Sequence, residues 1–295
     1  MVNWSNGYIA VDWGTTNRRA YLVDSEGVMV DEMEDDLGVT SVPSGGFPEA
    51  VTDIFQRFGK RPMLLAGMVG SNRGWREVPY IPCPAGTIDL ARQLSWIDDS
   101  IAIVPGVSIV SDGRADVMRG EEVQVFGLLA RSGFGSNGTV CHPGTHTKWI
   151  KLQSGKIADF RTVMTGELFS LLREHSILAP LLQQPPQADA AFLAGVDAAI
   201  AEGALGADLF SVRAKVLLSQ MDEGDAPSYV SGLLIGCDLR AGLPLAGEED
   251  IVVLGRPSLT KLYAAALSHC GRKLREADGA QAFVAGLQAI KEAIP

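Results

Sequence analysis

Cysteine is sparse in this chain and scattered. Cys83, Cys141, Cys237 and Cys270 form no C-x-x-C pair, so neither a zinc site nor a disulfide framework is expected. Free thiols suit a reducing compartment. Cations are outnumbered, with 25 Lys and Arg against 35 Asp and Glu and a formal net charge of −10. An acidic surface repels nucleic acid and anionic membrane, which removes both as expected partners. No run of about 18 uncharged apolar residues is available to span a bilayer. Met1 to Ala10 has no charged region followed by a long apolar stretch, as a signal peptide would. A G-x-x-x-x-G-K-[ST] phosphate loop is also absent. These absences leave a cytoplasmic globular protein as the expectation. Its 46% hydrophobic and 20% charged residues agree with that, and a length of 295 residues predicts about two domains.

The order of elements is what the chain does offer. Tyr8 to Asp12 reads as a buried strand ending in an acid, Arg19 to Asp24 as a second and Val28 to Met33 as a third, an antiparallel meander. Pro48 to Phe58 carries Val51, Ile54, Phe55 and Phe58 on one helical face. Pro62 to Gly67 is an apolar strand running into Gly67-Met68-Val69-Gly70-Ser71-Asn72, and Glu121 to Arg131 reads as a helix. Ser132 to Gly138 is short and rich in Gly and Ser, and marks the expected boundary between lobes at 1–135 and 136–295. A second meander then opens the second half: Thr139 to Cys141, Thr147 to Leu152 and Ile157 to Thr162. Helices are expected over Thr165 to His175, Asp189 to Glu202, Leu205 to Gln220, Pro227 to Ala241 and Ser258 to Cys270. Ile251 to Leu254 reads as a strand and Ala280 to Ile294 as a closing helix that packs back on the first lobe. The fold class is therefore α/β, with the same order of elements starting each half.

Three motifs carry chemistry. In Asp12-Trp13-Gly14-Thr15-Thr16-Asn17 a strand ends in an acid and a tight turn follows. Backbone N–H groups and hydroxyls in such a turn can surround phosphate oxygens, and Asp12 can hold Mg²⁺ through water. The ordinary reading of that segment is a hairpin turn with a solvent-facing aspartate. Pro143-Gly144-Thr145-His146-Thr147 lies between two strands at the matching place of the second half. His142 and His146 have the spacing of a helical metal pair, but Pro143-Gly144 between them argues against a helix and against zinc. Last, Leu254-Gly255-Arg256-Pro257-Ser258 joins a strand to a helix, and its glycine lets a flat ring approach the backbone.

Taken in order, the three resemble the phosphate-1, phosphate-2 and adenosine motifs of the actin/hexokinase-like ATPase superfamily. Longer blocks are similar to the 2-dehydro-3-deoxygalactonokinase family: Tyr8 to Asn17, Ala66 to Trp75, Val117 to Glu122, Pro143 to Trp149, Asp159 to Leu168 and Ser231 to Gly236. The resemblance implies a two-lobed, ribonuclease H-like fold with mixed sheets and a nucleotide cleft between lobes. It implies ATP with Mg²⁺ as cofactors, bound by Asp12, Gly14, Thr15, Thr16, Gly144, Thr145, His146, Thr147, Gly255 and Ser258, with Asp12 at the metal. The implied reaction is phosphorylation of 2-dehydro-3-deoxy-D-galactonate on its 6-hydroxyl, in galactonate catabolism. Two alternatives stay open at this point: a kinase for another 2-keto-3-deoxy sugar acid such as the gluconate-derived epimer, and a nucleotide-binding sensor without transfer activity. A homodimer is left open as well.

Phosphoryl transfer to a hydroxyl needs an acid that accepts its proton. Arg119-Gly120-Glu121-Glu122 resembles the G-D-Q-Q block of carbohydrate kinases, which places Glu121 as the base, with Glu in place of Asp; Asp116 is the second candidate. The ordinary reading of Glu121 and Glu122 is a pair of first-turn acids matched to the helix dipole. The substrate's carboxylate needs donors. Arg119 offers a fork, and Gly70, Ser71 and Asn72 offer backbone N–H groups. Arg18, Arg19, Arg73, Arg76, Arg114 and Arg161 lie near the same motifs.

Overall fold

A computed structural model describes residues 2–111, 113–131, 134–201 and 203–295. The chain divides into two compact units: 1–137 with 152–159 and 279–295, and 138–151 with 160–278. Ser132 and Gly133 of the expected lobe boundary, and Glu202 at the expected end of a helix, lie outside the described residues.

The first unit opens with the expected meander, β1 (Tyr8–Trp13), β2 (Arg18–Val23) and β3 (Met29–Asp35). Next comes α1 (Phe47–Phe58). Pro48 sits in its first turn, where the missing N–H costs nothing. Phe47, Val51, Ile54 and Phe58 recur on one buried face, and Gly59 at φ +77° ends it. Burying each of these side chains stabilises by roughly 1.5–3 kcal/mol. β4 (Met63–Gly67) is buried on both faces, as a central parallel strand should be. Beyond it lie β5 (Ile81–Pro82), α2 (Thr87–Arg92), β6 (Ser95–Trp96), β7 (Ile101–Ile103), β8 (Val107–Ser111), β9 (Arg114–Met118) and α3 (Glu121–Ala130). The main sheet runs β3-β2-β1-β4-β7-β6, and β5-β8-β9 form a small second sheet.

The second unit, apart from residues 152–159 at the tip of the β11–β12 hairpin, repeats the plan with β10 (Gly138–His142), β11 (Thr147–Gln153), β12 (Lys156–Val163), α4 (Thr165–His175), α5 (Ala190–Ile200), α6 (Leu205–Leu217), α7 (Ala226–Ala246), β13 (Ile251–Gly255), α8 (Pro257–His269) and β14 (Leu274–Asp278). Its sheet runs β12-β11-β10-β13-β14, with β10 parallel to β13 as β1 is to β4. This is the actin/hexokinase-like plan: each unit begins with an antiparallel meander, and its first strand then takes a parallel neighbour. Helix α9 (Gly279–Glu292) belongs to the first unit and lies against α3. A β-carbon on Gly127 would stand 1.7 Å from the Ala282 carbonyl oxygen, and one on Gly286 1.9 Å from that of Val123, so two glycines let these helices meet backbone to backbone. Among the described residues no helix is long and apolar enough to cross a membrane.

Candidate active site

In the first unit the turn after Asp12 is buttressed from behind. The Gly14 N–H donates to the Asn17 carbonyl at 2.9 Å and closes it. The N–H groups of Gly38, Val39 and Thr40 donate to the carbonyls of Thr16, Gly14 and Thr15 at 3.2, 3.0 and 3.2 Å. The Thr40 hydroxyl adds a bond to the Thr15 carbonyl at 2.8 Å. With its carbonyls engaged, the turn leaves Thr15 and Thr16 exposed.

Two glycines bring three segments together at the same end of β1. Gly67 has φ +91°, and a β-carbon there would lie 2.8 Å from the Trp13 carbonyl oxygen and 3.5 Å from Asp12 Oδ1. Gly120 has φ +109°, and its β-carbon would stand 3.2 Å from Gly67 Cα. Glu121 opens α3 directly after it. Burial pushes the Asp12 carboxyl up to about 6; Arg19, whose Nη1 lies 3.7 Å away, opposes the shift, and Glu121 and Glu34 add to it. Glu122 is fully buried. Its Oε2 accepts the Gly120 N–H at 2.7 Å, and Oε1 has no partner among the described residues. Burial, reinforced by Glu121, lifts its carboxyl to about 8. Asp116 stands elsewhere, on β9 of the small sheet opposite Ile109, with Oδ1 accepting the Val117 N–H at 2.8 Å.

The loop after β4 folds back on itself, since the Trp75 N–H donates to the Val69 carbonyl at 2.9 Å. Gly70 faces Arg119: a β-carbon there would lie 2.6 Å from Arg119 Nη1. Arg119 is only 8% exposed. Its Nη2 donates to the Val78 carbonyl at 2.6 Å, its guanidinium lies 4.2 Å from the Tyr80 ring centre, and Nε and Nη1 have no partner among the described residues. Ser71 is buried and its Oγ accepts the Arg73 N–H at 3.2 Å, while Asn72 is exposed. Asn72 and Arg73 line a cleft with Phe47 and Trp75, whose rings stack with centroids 6.2 Å apart. Most of the other arginines near the motifs are committed: Arg18 to Asp35 and the Ala50 carbonyl, Arg19 to Glu34, Arg76 to the Trp96 carbonyl, Arg114 to Asp159. The Arg73 guanidinium makes no hydrogen bond or ion pair among the described residues.

In the second unit the turn Pro143 to His146 joins β10 to β11. It is backed by the start of α4, where the Glu167 N–H donates to the Thr145 carbonyl at 2.9 Å and Glu167 Oε2 lies 2.5 Å from His146 Nε2. A β-carbon on Gly166 would come within 2.4 Å of the Gly144 carbonyl oxygen. Gly255 lies beside Pro143, its β-carbon position 3.6 Å from that residue's carbonyl oxygen, and Ser258 is exposed in the first turn of α8. Next to the Gly144–Thr145 turn is a mainly apolar cleft of about 270 Å³, walled by Thr165, Phe169, Ser231, Leu234, Leu262 and Tyr263 among others. Beneath it lies a buried group that sequence reasoning passed over, centred on Asp238. The available signal was a single acid in the otherwise apolar run Ser231 to Leu239.

A family model described as 2-keto-3-deoxy-galactonokinase matches residues 12–290. The 2-dehydro-3-deoxygalactonokinase of Escherichia coli (strain K12) is 37% identical over 97% of this chain and 98% of its own. A relative from Rhizobium meliloti (strain 1021) is 35% identical over 97% of each chain. The crystal structure of a Sinorhizobium meliloti protein assigned as a 2-dehydro-3-deoxygalactonokinase superposes with a TM-score of 0.90 at 35% identity, covering 97% of this chain and 99% of the other.

Proposed function

Since this chain belongs to the 2-keto-3-deoxy-galactonokinase family, we propose that it uses ATP to phosphorylate 2-dehydro-3-deoxy-D-galactonate on its 6-hydroxyl, in the cytoplasm, as a step of galactonate catabolism. The observation that carries the chemistry is the convergence of Asp12, Gly67, Gly120 and Glu121. It sets two coupled carboxylates at the meeting of a strand end and a helix start. Phosphoryl transfer asks mainly for positioned groups and neutralised charge.

Glu121 takes the proton of the attacking hydroxyl. Its coupling to Asp12 supports that role over Asp116, which remains the second candidate. Asp12 would hold Mg²⁺ through its carboxylate. The residues fit the ion, because Asp12 is lifted by burial and by two neighbouring acids against one arginine, and a divalent cation relieves that excess of negative charge. When bound, the ion neutralises charge on the phosphate oxygens.

Gly14, Thr15 and Thr16 offer close backbone and hydroxyls to phosphate, as do Gly144 and Thr145 with His146 beside them, while Thr147, buried with its hydroxyl against Tyr263, supports the turn from within. Gly255, Ser258 and the apolar cleft beside Thr165 take the adenosine. Gly70, Ser71, Asn72 and Arg119 form the sugar-acid side. The two unpartnered donors of Arg119 and the uncommitted guanidinium of Arg73 support an anionic ligand there. The test is ATP consumption with Mg²⁺ against a panel of 2-keto-3-deoxy sugar acids. Turnover is expected with the galactonate-derived acid, and no turnover with any of them would sink the reading.

A further inference from the structure

The Asp238 side chain is buried on all sides and gathers three donors. Its Oδ1 accepts the Trp149 Nε1–H at 2.6 Å. Its Oδ2 accepts the Thr165 hydroxyl at 2.5 Å and also the Tyr263 hydroxyl. Tyr263 has one proton, and it is spent on Asp238. The tyrosine oxygen therefore receives the hydroxyl proton of Thr147, 2.7 Å away. The chain is directional: Thr147 donates to Tyr263, and Tyr263 and Thr165 donate to Asp238. Gly242, one turn further along α7, makes room for the arrangement, because a β-carbon there would stand 2.0 Å from the Trp149 ring.

The segments so tied are the ones around the Gly144–Thr145 turn. Thr147 and Trp149 begin the strand that leaves the turn. Thr165 begins the helix whose Glu167 N–H holds the Thr145 carbonyl. Tyr263 comes from the helix that follows Gly255, and with Thr165 it walls the apolar cleft. We infer that Asp238 is a positioning residue for nucleotide binding, fixing the turn and the orientation of the Thr147 and Thr165 hydroxyls through one buried carboxylate. The inference rests on the reading of this cleft as the nucleotide side. Burial pushes the Asp238 carboxyl up, and its hydrogen bonds pull it back toward the ionised form that accepts from every partner.

The test uses the full chain, with ADP binding measured by calorimetry and steady-state kinetics alongside. Asp238→Asn keeps the shape but replaces one acceptor with a donor facing hydroxyls that already donate. Tyr263→Phe keeps the ring and removes the link to Thr147. Each is expected to weaken ADP binding by about tenfold, the scale of one buried hydrogen bond, and to raise KM for ATP while KM for the sugar acid stays put. The double variant should bind ADP no more weakly than the worse single, because both break one chain. Folded variants with wild-type ADP affinity would overturn the inference, and so would equal losses for both substrates, which mark a general loosening. If Asp238→Asn fails to fold, Tyr263→Phe decides by the same criteria. A wild-type chain that does not bind ADP overturns instead the nucleotide reading on which the inference stands.

Discussion

Glu122 reaches back past the start of its own helix and accepts the backbone N–H of Gly120, the residue whose close approach to Gly67 brings Glu121 beside Asp12. Burial raises the Glu122 carboxyl from 4.5 to about 8, so the folded chain holds a proton there that the unfolded chain releases earlier. The unfolded state binds fewer protons between those values, and stability therefore falls as pH rises from about 4.5 toward 8. The melting temperature of Glu122→Gln, which keeps an acceptor for Gly120 but does not ionise, should fall less across that window than that of the wild type. Parallel curves for the two proteins would contradict the assignment.

If Glu121 is the base, Glu121→Gln keeps size and loses proton acceptance. Its kcat is expected to drop by roughly 10² or more, with little change in the binding of either substrate. Asp116→Asn should be the milder variant. A helix-dipole role alone predicts near-normal turnover and a stability loss under about 1 kcal/mol. A dead Asp116→Asn beside an active Glu121→Gln would move the base to the small sheet.

Asp12→Asn removes the charge proposed to hold magnesium. The variant should show a raised Mg²⁺ requirement, and excess Mg²⁺ should recover part of the rate. A titration of rate against Mg²⁺ checks this. A flat response with normal nucleotide binding would assign Asp12 another task.

The two arginines beside the loop after β4 should separate in a kinetic comparison. Arg73→Ala removes a guanidinium with no partner among the described residues. KM for the sugar acid is expected to rise by about tenfold or more, the worth of a charge-assisted hydrogen bond, with melting temperature unchanged. Arg119→Ala should lower the melting temperature as well, because its stack on Tyr80 and its bond to Val78 go with it. An Arg73→Ala enzyme with unaltered KM would remove that residue from the sugar-acid side.

Much of the fold was legible because its inner strands are short apolar runs with turn residues at both ends, as at Tyr8–Trp13 and Ile251–Gly255. Four edge strands escaped: Ile81–Pro82 and Ser95–Trp96 are only two residues long, and Arg114–Met118 and Leu274–Asp278 are polar strands held by backbone pairing more than by buried side chains, with Val117 47% exposed. At the site, the acid at a strand end singled out Asp12 and the resemblance of Arg119–Glu122 to the G-D-Q-Q block singled out Glu121, whose charge adds to the upward push on the Asp12 carboxyl. The Asp238 chain was not legible. Thr147 and Tyr263 lie 116 residues apart in sequence, and neither has a neighbour that announces the contact. Arg119 shows the same limit from the other side. The residue type suggested a fork open to a ligand, and a tertiary contact with Val78 occupies one of its prongs.

The glycine-mediated seam between α3 and α9 bears on how the chain folds as it leaves the ribosome. Residues 279–292 are made after all of the second unit, yet they supply the surface on which α3 of the first unit rests. The second unit, residues 138–151 and 160–278, has been made in full while the earlier-born unit still lacks α9. Until residues 279–292 emerge, the face of α3 that they cover stays open in the nascent chain.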